Sequence, residues 1–263
     1  MEIGDIVGRR SYNCDIYFKI TADLGGGSYA LTGVNYRLAV VASLRDLLPI
    51  PLPDLRKLLR LFQNDMEQRI RRINQQVEVG HARRPGKVLH IDSDQEYLSL
   101  CLQYYQDLRV PAVGEQIQED EQGDKIQFAL KKHFPDILVI TGHDSLRNKD
   151  KRDNLDSYRS SAYFCDAVRN ARYFNPVKDS LVIIAGACQS HYEALIDAGA
   201  NIASSPGRIL IHALDPVFAA HKIAYSSIDK VLSLEEILEN TITGREGLGG
   251  YQTRGVLREG LRM

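Results

Sequence analysis

The hydrophobic positions of this chain fall into two regimes that meet near Lys87. After it, short apolar, β-branched runs alternate with stretches whose apolar residues recur at helical spacing. Residues 88–92, 112–117, 137–140, 181–185, 202–204 and 223–226 read as strands. Residues 95–108, 123–133, 157–173, 191–198, a short piece near 209–212, and 234–240 read as helices. The runs at 137–140 and 181–185 are apolar without interruption, the pattern of strands buried on both faces. Strand and helix in strict alternation imply right-handed βαβ units around a mostly parallel sheet flanked by helices, an α/β fold.

Before Lys87 the pattern differs. Residues 3–7, 16–20, 29–32 and 36–41 read as short strands separated by polar turns, one of them Gly25-Gly26-Gly27. This spacing predicts a small barrel or curled sheet over residues 1–45. Its opening, Ile3-Gly4-Asp5-Ile6-Val7, resembles the first strand of SH3-like and KOW-type barrels. Pro49, Pro51 and Pro53 follow. A helix is then expected from Asp54, its N-cap, to about residue 79, with Leu55, Leu58, Leu59, Phe62, Met66, Ile70 and Ile73 on one face. Its Arg56, Arg60, Arg69, Arg71 and Arg72 suit a solvated face of a helical connector spanning 46–86. Residues 80–86 form the expected boundary loop. The α/β domain then covers 87–242, and the Gly- and Arg-rich tail, 243–263, is expected to be flexible.

Composition narrows the function classes. The 263 residues are 44% hydrophobic and 25% charged, with a net charge of −1. That balance supplies no global field for nucleic acid or an anionic membrane. No apolar stretch approaches the roughly 18 residues needed to span a bilayer, and the first residues lack the apolar core of a secretory signal. Cys14, Cys101, Cys165 and Cys188 are widely spaced with no C-x-x-C pair. This predicts neither a metal site nor a disulfide framework, and fits a reducing, cytoplasmic setting. No cofactor is expected.

The chemistry gathers at two strand ends. The first apolar run leads into Thr141-Gly142-His143-Asp144, the second into Gly186-Ala187-Cys188-Gln189-Ser190. In open α/β sheets chemistry sits beyond the carboxyl ends of the strands. If the two strands are neighbours, His143 and Cys188 meet there, and a thiol beside an imidazole performs nucleophilic acyl transfer. A helix expected to begin near Gln189 or Ser190 would place the thiol at its N-terminus and lower its pKa. Backbone N–H groups around Gly142, Asp144 and Gln189 are candidates for oxyanion contact or support. Asp144 is also a candidate to orient the imidazole, and His191 is a second-ranked base. Cys14, Cys101 and Cys165 are expected to be packing residues. His81, His90, His133, His212 and His221 lack a comparable setting.

A His loop after one strand and a small-residue-plus-Cys loop after the next resemble the caspase–gingipain group of cysteine peptidases. Asp144 stands where that group has Gly. Four segments, I-G-D-I-V-x-R-x-S-Y-x-x-D-I-x-F, T-G-H-D-S, A-G-A-C-Q-S-H-Y-E and T-G-R-E-G-L-G-G, resemble the YabG family of sporulation-specific peptidases over nearly the whole chain. The resemblance implies a caspase-like or flavodoxin-like α/β fold and a His143–Cys188 dyad. It implies protein substrates from the spore coat and cortex, in a sporulating cell and near its coat. It further implies cleavage after Arg, with self-cleavage. An Arg-accepting pocket needs a buried carboxylate, for which Asp92, Asp94 and Asp215 are candidates. Arg84, with Arg83 beside it, and Arg245, Arg254 and Arg258 are candidates for self-cleavage. Two other readings compete. Asp92, Asp94 and His143-Asp144 are placed like the acidic cluster of a receiver-like, Mg²⁺- or phosphate-binding protein. Alternatively the barrel and the Arg-rich helix hold RNA or a protein without catalysis.

Overall fold

Near the N-terminus, alternating apolar and polar positions yield five short strands in a computed structural model that describes residues 1–76 and 83–260. They are β1 (Ile6–Arg9), β2 (Tyr17–Asp23), β3 (Ser28–Gly33), β4 (Ala39–Ser43) and β5 (Leu47–Pro49). The sheet is antiparallel, in the order β4-β3-β2-β1-β5. The closed SH3-like barrel expected from the spacing is not formed, because β4 and β5 remain edges. The inward face, Val7, Phe18, Ile20, Tyr29 and Leu31, is instead completed by Cys188 and Ile211 of the following domain. Pro49 and Pro51, which lack an N–H, lead the chain out of β5.

Helix α1 (Leu52–Gln76) starts two residues before Asp54. Phe62, Met66, Ile70 and Ile73 join the main apolar core, so α1 is packed along the α/β domain. Arg56, Arg60, Arg71 and Arg72 are exposed, as a solvated face requires. The expected end of this helix, the start of the boundary loop and His81 lie outside the described residues.

The remaining elements are β6 (Arg83–Arg84), β7 (Val88–Asp92), α2 (Gln95–Asp107), β8 (Ala112–Gln116), α3 (Glu119–His133), β9 (Ile137–Ile140), α4 (Ser161–Phe174), β10 (Val182–Ala185), α5 (Tyr192–Ala198), β11 (Ile202–Ser204), α6 (Asp215–Ala224), β12 (Val231–Leu232), α7 (Leu234–Leu238), β13 (Leu248–Gly250), β14 (Thr253–Arg254) and β15 (Arg258–Glu259). A six-stranded sheet runs β13-β11-β10-β9-β7-β8. Its five parallel strands follow the doubly wound order 2-1-3-4-5, and β13 adds an antiparallel edge. Alternate residues of each strand enter opposite layers. Leu138, Ile140 and Ile183 face α3 to α5. Ile137, Val139 and Ile184 face α1, α2 and α6. Ile140 is in register with Ala185, so β9 and β10 end side by side.

Three expectations fail for physical reasons. Residues 223–226 are the end of α6 and the turn after it, not a strand. Residues 215–221, 223 and 224 of α6 are all buried, so the helix has no polar face to reveal its period, although Pro216 marks its first turn. Residues 209–212 are extended, not helical: Ile209 accepts a bond from the Gln189 amide and Tyr36 bridges His212. Within the supposed flexible tail, residues 248–250 form the edge strand of the main sheet. That pairing needs glycine at 250, where φ is +151° and a Cβ would meet the Asn201 carbonyl oxygen at 2.2 Å. Gly250→Ala is expected to cost about 1–3 kcal/mol, read as a lowered urea midpoint with unchanged m-value.

Candidate active site

The link between β3 and β4 crosses the carboxyl edge of the sheet. The Ala213 amide donates to Asn35, Tyr36 bridges His212, and Leu38 bridges Asp144. Between them Arg37 turns inward and is wholly inaccessible. Its guanidinium pairs with Asp92 at the end of β7. It also donates to Cys101 Sγ at 3.2 Å and to the Ala213 carbonyl at 3.4 Å, and lies 5.0 Å from the Tyr97 ring centre. Burial alone would push the Asp92 carboxyl up, but the Arg37 charge, helped by His90, holds it well below the usual carboxylate range. Thr141 Oγ1 donates to the same carboxylate at 2.7 Å and the Asp94 amide at 2.9 Å. Asp92 is therefore a built guanidinium receptor, already occupied by this chain's own arginine. Cys101, expected only to pack, lines it.

Cys188 lies on the loop between β10 and α5, and its side chain is 0% exposed. The loop turns at Gly186, φ +108°, where a Cβ would meet Leu195 Cδ1 at 2.8 Å. The expected helix at Gln189 is absent: Gln189 has φ +58°, and α5 starts at Tyr192 with His191 as its N-cap. The thiol therefore lacks the helix-terminal field predicted for it. Burial pushes its pKa up to about 12, against contributions from the Ile211 and Arg37 backbones and the Arg37 charge. The sulfur contacts the Ile211 amide and carbonyl at 3.4 Å each.

His143 follows β9. Its Nε2 lies 3.6 Å from Asp94 Oδ2, has no hydrogen-bond partner among the described residues, and its ring meets Tyr97 edge-on. Burial lowers its pKa despite the pull of Asp94 and Asp92. The imidazole is neutral at ordinary pH. Its amide donates to Glu119 Oε1 at 2.9 Å. Gly142 makes room for that carboxylate, since a Cβ there would meet Glu119 Oε1 at 2.8 Å.

Asp144 does not orient the imidazole. It is buried and accepts from the Ser145 and Ser160 amides at 2.8 Å each, and from Ser161 Oγ and, at 2.9 Å, Ser190 Oγ. Burial raises its pKa against these donors. It fastens the His143 loop, the Cys188 loop and the start of α4 together. Its own amide points at the Arg37 carbonyl oxygen, 3.4 Å away. Gln189 adds a second brace, its side chain accepting from the Leu146 amide at 3.2 Å, while its own amide is bound to Ile209. The carboxylate facing His143 is Asp94, which also caps α2 through the Glu96 and Tyr97 amides. Asp215 accepts from the His212, Ile242 and Thr243 amides, and among the described residues no arginine is ion-paired with it. His191 is held by the Ala194 amide, away from Cys188.

The arginines proposed for self-cleavage sit in built structure. Arg84 and Arg258 are register partners in β6 and β15, Arg254 lies in β14, and Arg245 pairs with Glu235. Arg37, Tyr97 and Glu119 carry no sequence signal of a role at this site. Arg37 follows Tyr36 in an apparent strand, where a charged residue reads as an exposed position. Among the described residues no group of three or more His, Cys, Asp or Glu converges as a metal cage, and no helix is long and apolar enough to cross a membrane.

A profile of the YabG peptidase U57 family matches residues 2–262. The chain belongs to the YabG peptidase family. It is 40% identical over 283 residues to the "Sporulation-specific protease YabG" of Bacillus subtilis (strain 168), spanning 99% of this chain and 97% of the relative. Membership makes the chain a peptidase. Among solved structures, the A domain of a carboxylic acid reductase from Segniliparus rugosus, in complex with AMP and a carboxylic acid, overlaps with a TM-score of 0.31 and 14% identity. It covers 83% of this chain and 28% of that one. A likeness that low carries no argument about this YabG-family chain.

Two outcomes follow for this family member. In the intact chain iodoacetamide at pH 7 should label the half-buried Cys14 and spare the buried Cys188, scored by peptide mass spectrometry. The Asp92 pKa is lower folded than unfolded. Its stabilisation is therefore complete above the unfolded carboxyl value of about 4 and is lost as pH falls below it. Asp92→Asn should flatten the acid limb of a stability-against-pH curve.

Proposed function

We propose that the chain is a cysteine endopeptidase in which Cys188 is the nucleophile and His143 the general acid and base. It cuts after arginine in spore-coat and cortex-associated proteins of a sporulating cell, and also cuts itself. One observation carries this reading: β9 and β10 are parallel neighbours whose last residues, Ile140 and Ala185, are in register, and each strand is followed within three residues by its reactive side chain. The Asp92 pocket on the adjoining strand β7 supports arginine selectivity, because it holds a guanidinium with an ion pair, a sulfur and a carbonyl. A lysine ammonium, a point charge on a thinner stem, matches that fork poorly.

The division of roles follows from the surroundings. His143, neutral and near Asp94, accepts the Cys188 proton and later delivers it to the leaving amine. The Asp144 amide faces the developing oxyanion, the position a glycine amide holds in the caspase–gingipain group. The Asp144 side chain is a positioning group that holds both loops at one spacing. The sporulation setting and the coat and cortex substrates come from the family and from the name of the relative.

Cys188→Ala and His143→Ala should each reduce hydrolysis of an Arg-containing protein substrate by a factor of at least about 10³, with the far-ultraviolet circular dichroism retained. Unchanged turnover in either folded variant removes that residue from the dyad.

A further inference from the structure

The Arg37–Leu38 peptide lies between the Asp92 pocket and the His143 and Cys188 loops. The Arg37 side chain fills the Asp92 pocket. Its carbonyl oxygen faces the Asp144 amide at 3.4 Å. Its backbone amide is among the groups acting on the Cys188 sulfur. The flanking residues each bridge the α/β domain, Tyr36 antiparallel to His212 and Leu38 parallel to Asp144. The Leu38 amide donates to the Tyr36 carbonyl at 2.7 Å, so Arg37 stands at the apex of a tight turn with its carbonyl directed outward. Downstream, residues 38–41 line a cavity of about 690 Å³ beside Leu146 and Gln189. Ala39 shares a second cleft with His143.

We propose that this chain carries its own first substrate: Arg37 occupies the cleft as the residue before the cut, Cys188 cleaves Arg37–Leu38 within the same molecule, and departure of residues 1–37 opens the site to other proteins. The inference rests on the Cys188–His143 reading above. In the step, Sγ passes its proton to His143 and bonds to the Arg37 carbonyl carbon, whose oxygen takes the negative charge opposite the Asp144 amide. The carbon–nitrogen bond then breaks as His143 returns the proton to the Leu38 nitrogen, leaving a thioester. A solvent water, deprotonated by His143, hydrolyses the thioester to the Arg37 carboxylate and restores the thiol. Until then the segment that presents Arg37 also buries the nucleophile: Leu38 and Cys188 share one apolar cluster with β1 to β3.

The test follows purified full-length chain by intact mass spectrometry and N-terminal sequencing, at two concentrations tenfold apart. Cys188→Ala, Arg37→Lys and Leu38→Pro run alongside, with hydrolysis of an Arg-containing reporter peptide as a second readout. Leu38→Pro leaves the Arg37 and Asp92 side chains unchanged, removes the Leu38 N–H and crowds the leaving nitrogen, so it reports on the cut even if Arg37→Lys folds poorly. The expected result is a new N-terminus at Leu38, formed with a rate constant unchanged by dilution. The cut is absent from Cys188→Ala and slowed about tenfold or more in the other two variants, and reporter hydrolysis grows as residues 1–37 leave. Reporter hydrolysis by a chain still joined at Arg37–Leu38 overturns the inference and leaves the dyad standing. So does a first cut elsewhere, or a rate constant proportional to concentration. Equal reporter hydrolysis by Cys188→Ala overturns the dyad itself, and no cleavage of either chain or reporter overturns both.

Discussion

The Arg37–Asp92 pair joins the N-terminal sheet to the carboxyl edge of the parallel sheet with both side chains at 0% exposure. Taking such charges out of water costs several kcal/mol per ion, recovered only where geometry and further hydrogen bonds are good. Here Thr141, the Asp94 amide, Cys101 and the Ala213 carbonyl supply those contacts. The consequence reaches well beyond the pair. With Arg37 seated, Leu38 and Cys188 share one apolar cluster, the sheet's open face is filled by Cys188 and Ile211, and the thiol is kept protonated by its burial. Removing either charge alone would leave the other stranded in an apolar interior.

The spacing of the two reactive loops is set by a different device. Asp144 collects donors from three segments, at Ser145, Ser160 and Ser161, and Ser190. A glycine there would free its amide equally well but would leave two serine hydroxyls and a loop without a partner. The aspartate is thus compatible with an oxyanion role for the backbone, because side chain and amide point to separate tasks.

The amino-acid pattern alone carries much of this arrangement. The parallel strands β9 and β10 announce themselves by unbroken apolar runs, and their adjacency brings the His143 and Cys188 loops to neighbouring strand ends. Elements without a periodic signal were opaque. Helix α6 is buried nearly all round, so its period is hidden and its end, with the turn after it, reads as a strand; β13 consists of a leucine and two glycines whose role depends on Asn201. The helix-terminal field expected at Cys188 is absent because the chain spends Gln189, Ser190 and His191 turning before α5 begins. Arg37 was invisible for a deeper reason. Its meaning is a contact across 55 residues of sequence, with a carboxylate that by itself looks like an ordinary strand-end aspartate.

The split of the N-terminal sheet across the β3–β4 link has a kinetic corollary. Strands β1 to β3 precede residue 37 and β4 and β5 follow it, yet β3 is laddered to β4 and β1 to β5. Severing the link removes a covalent tether while both ladders persist. The two pieces then behave as a complementation pair, held by their mutual affinity without the effective concentration that a tether supplies. Unmasking of the thiol becomes a matter of mass action: crowded together the halves stay associated, and dilution or a competitor for either ladder draws them apart.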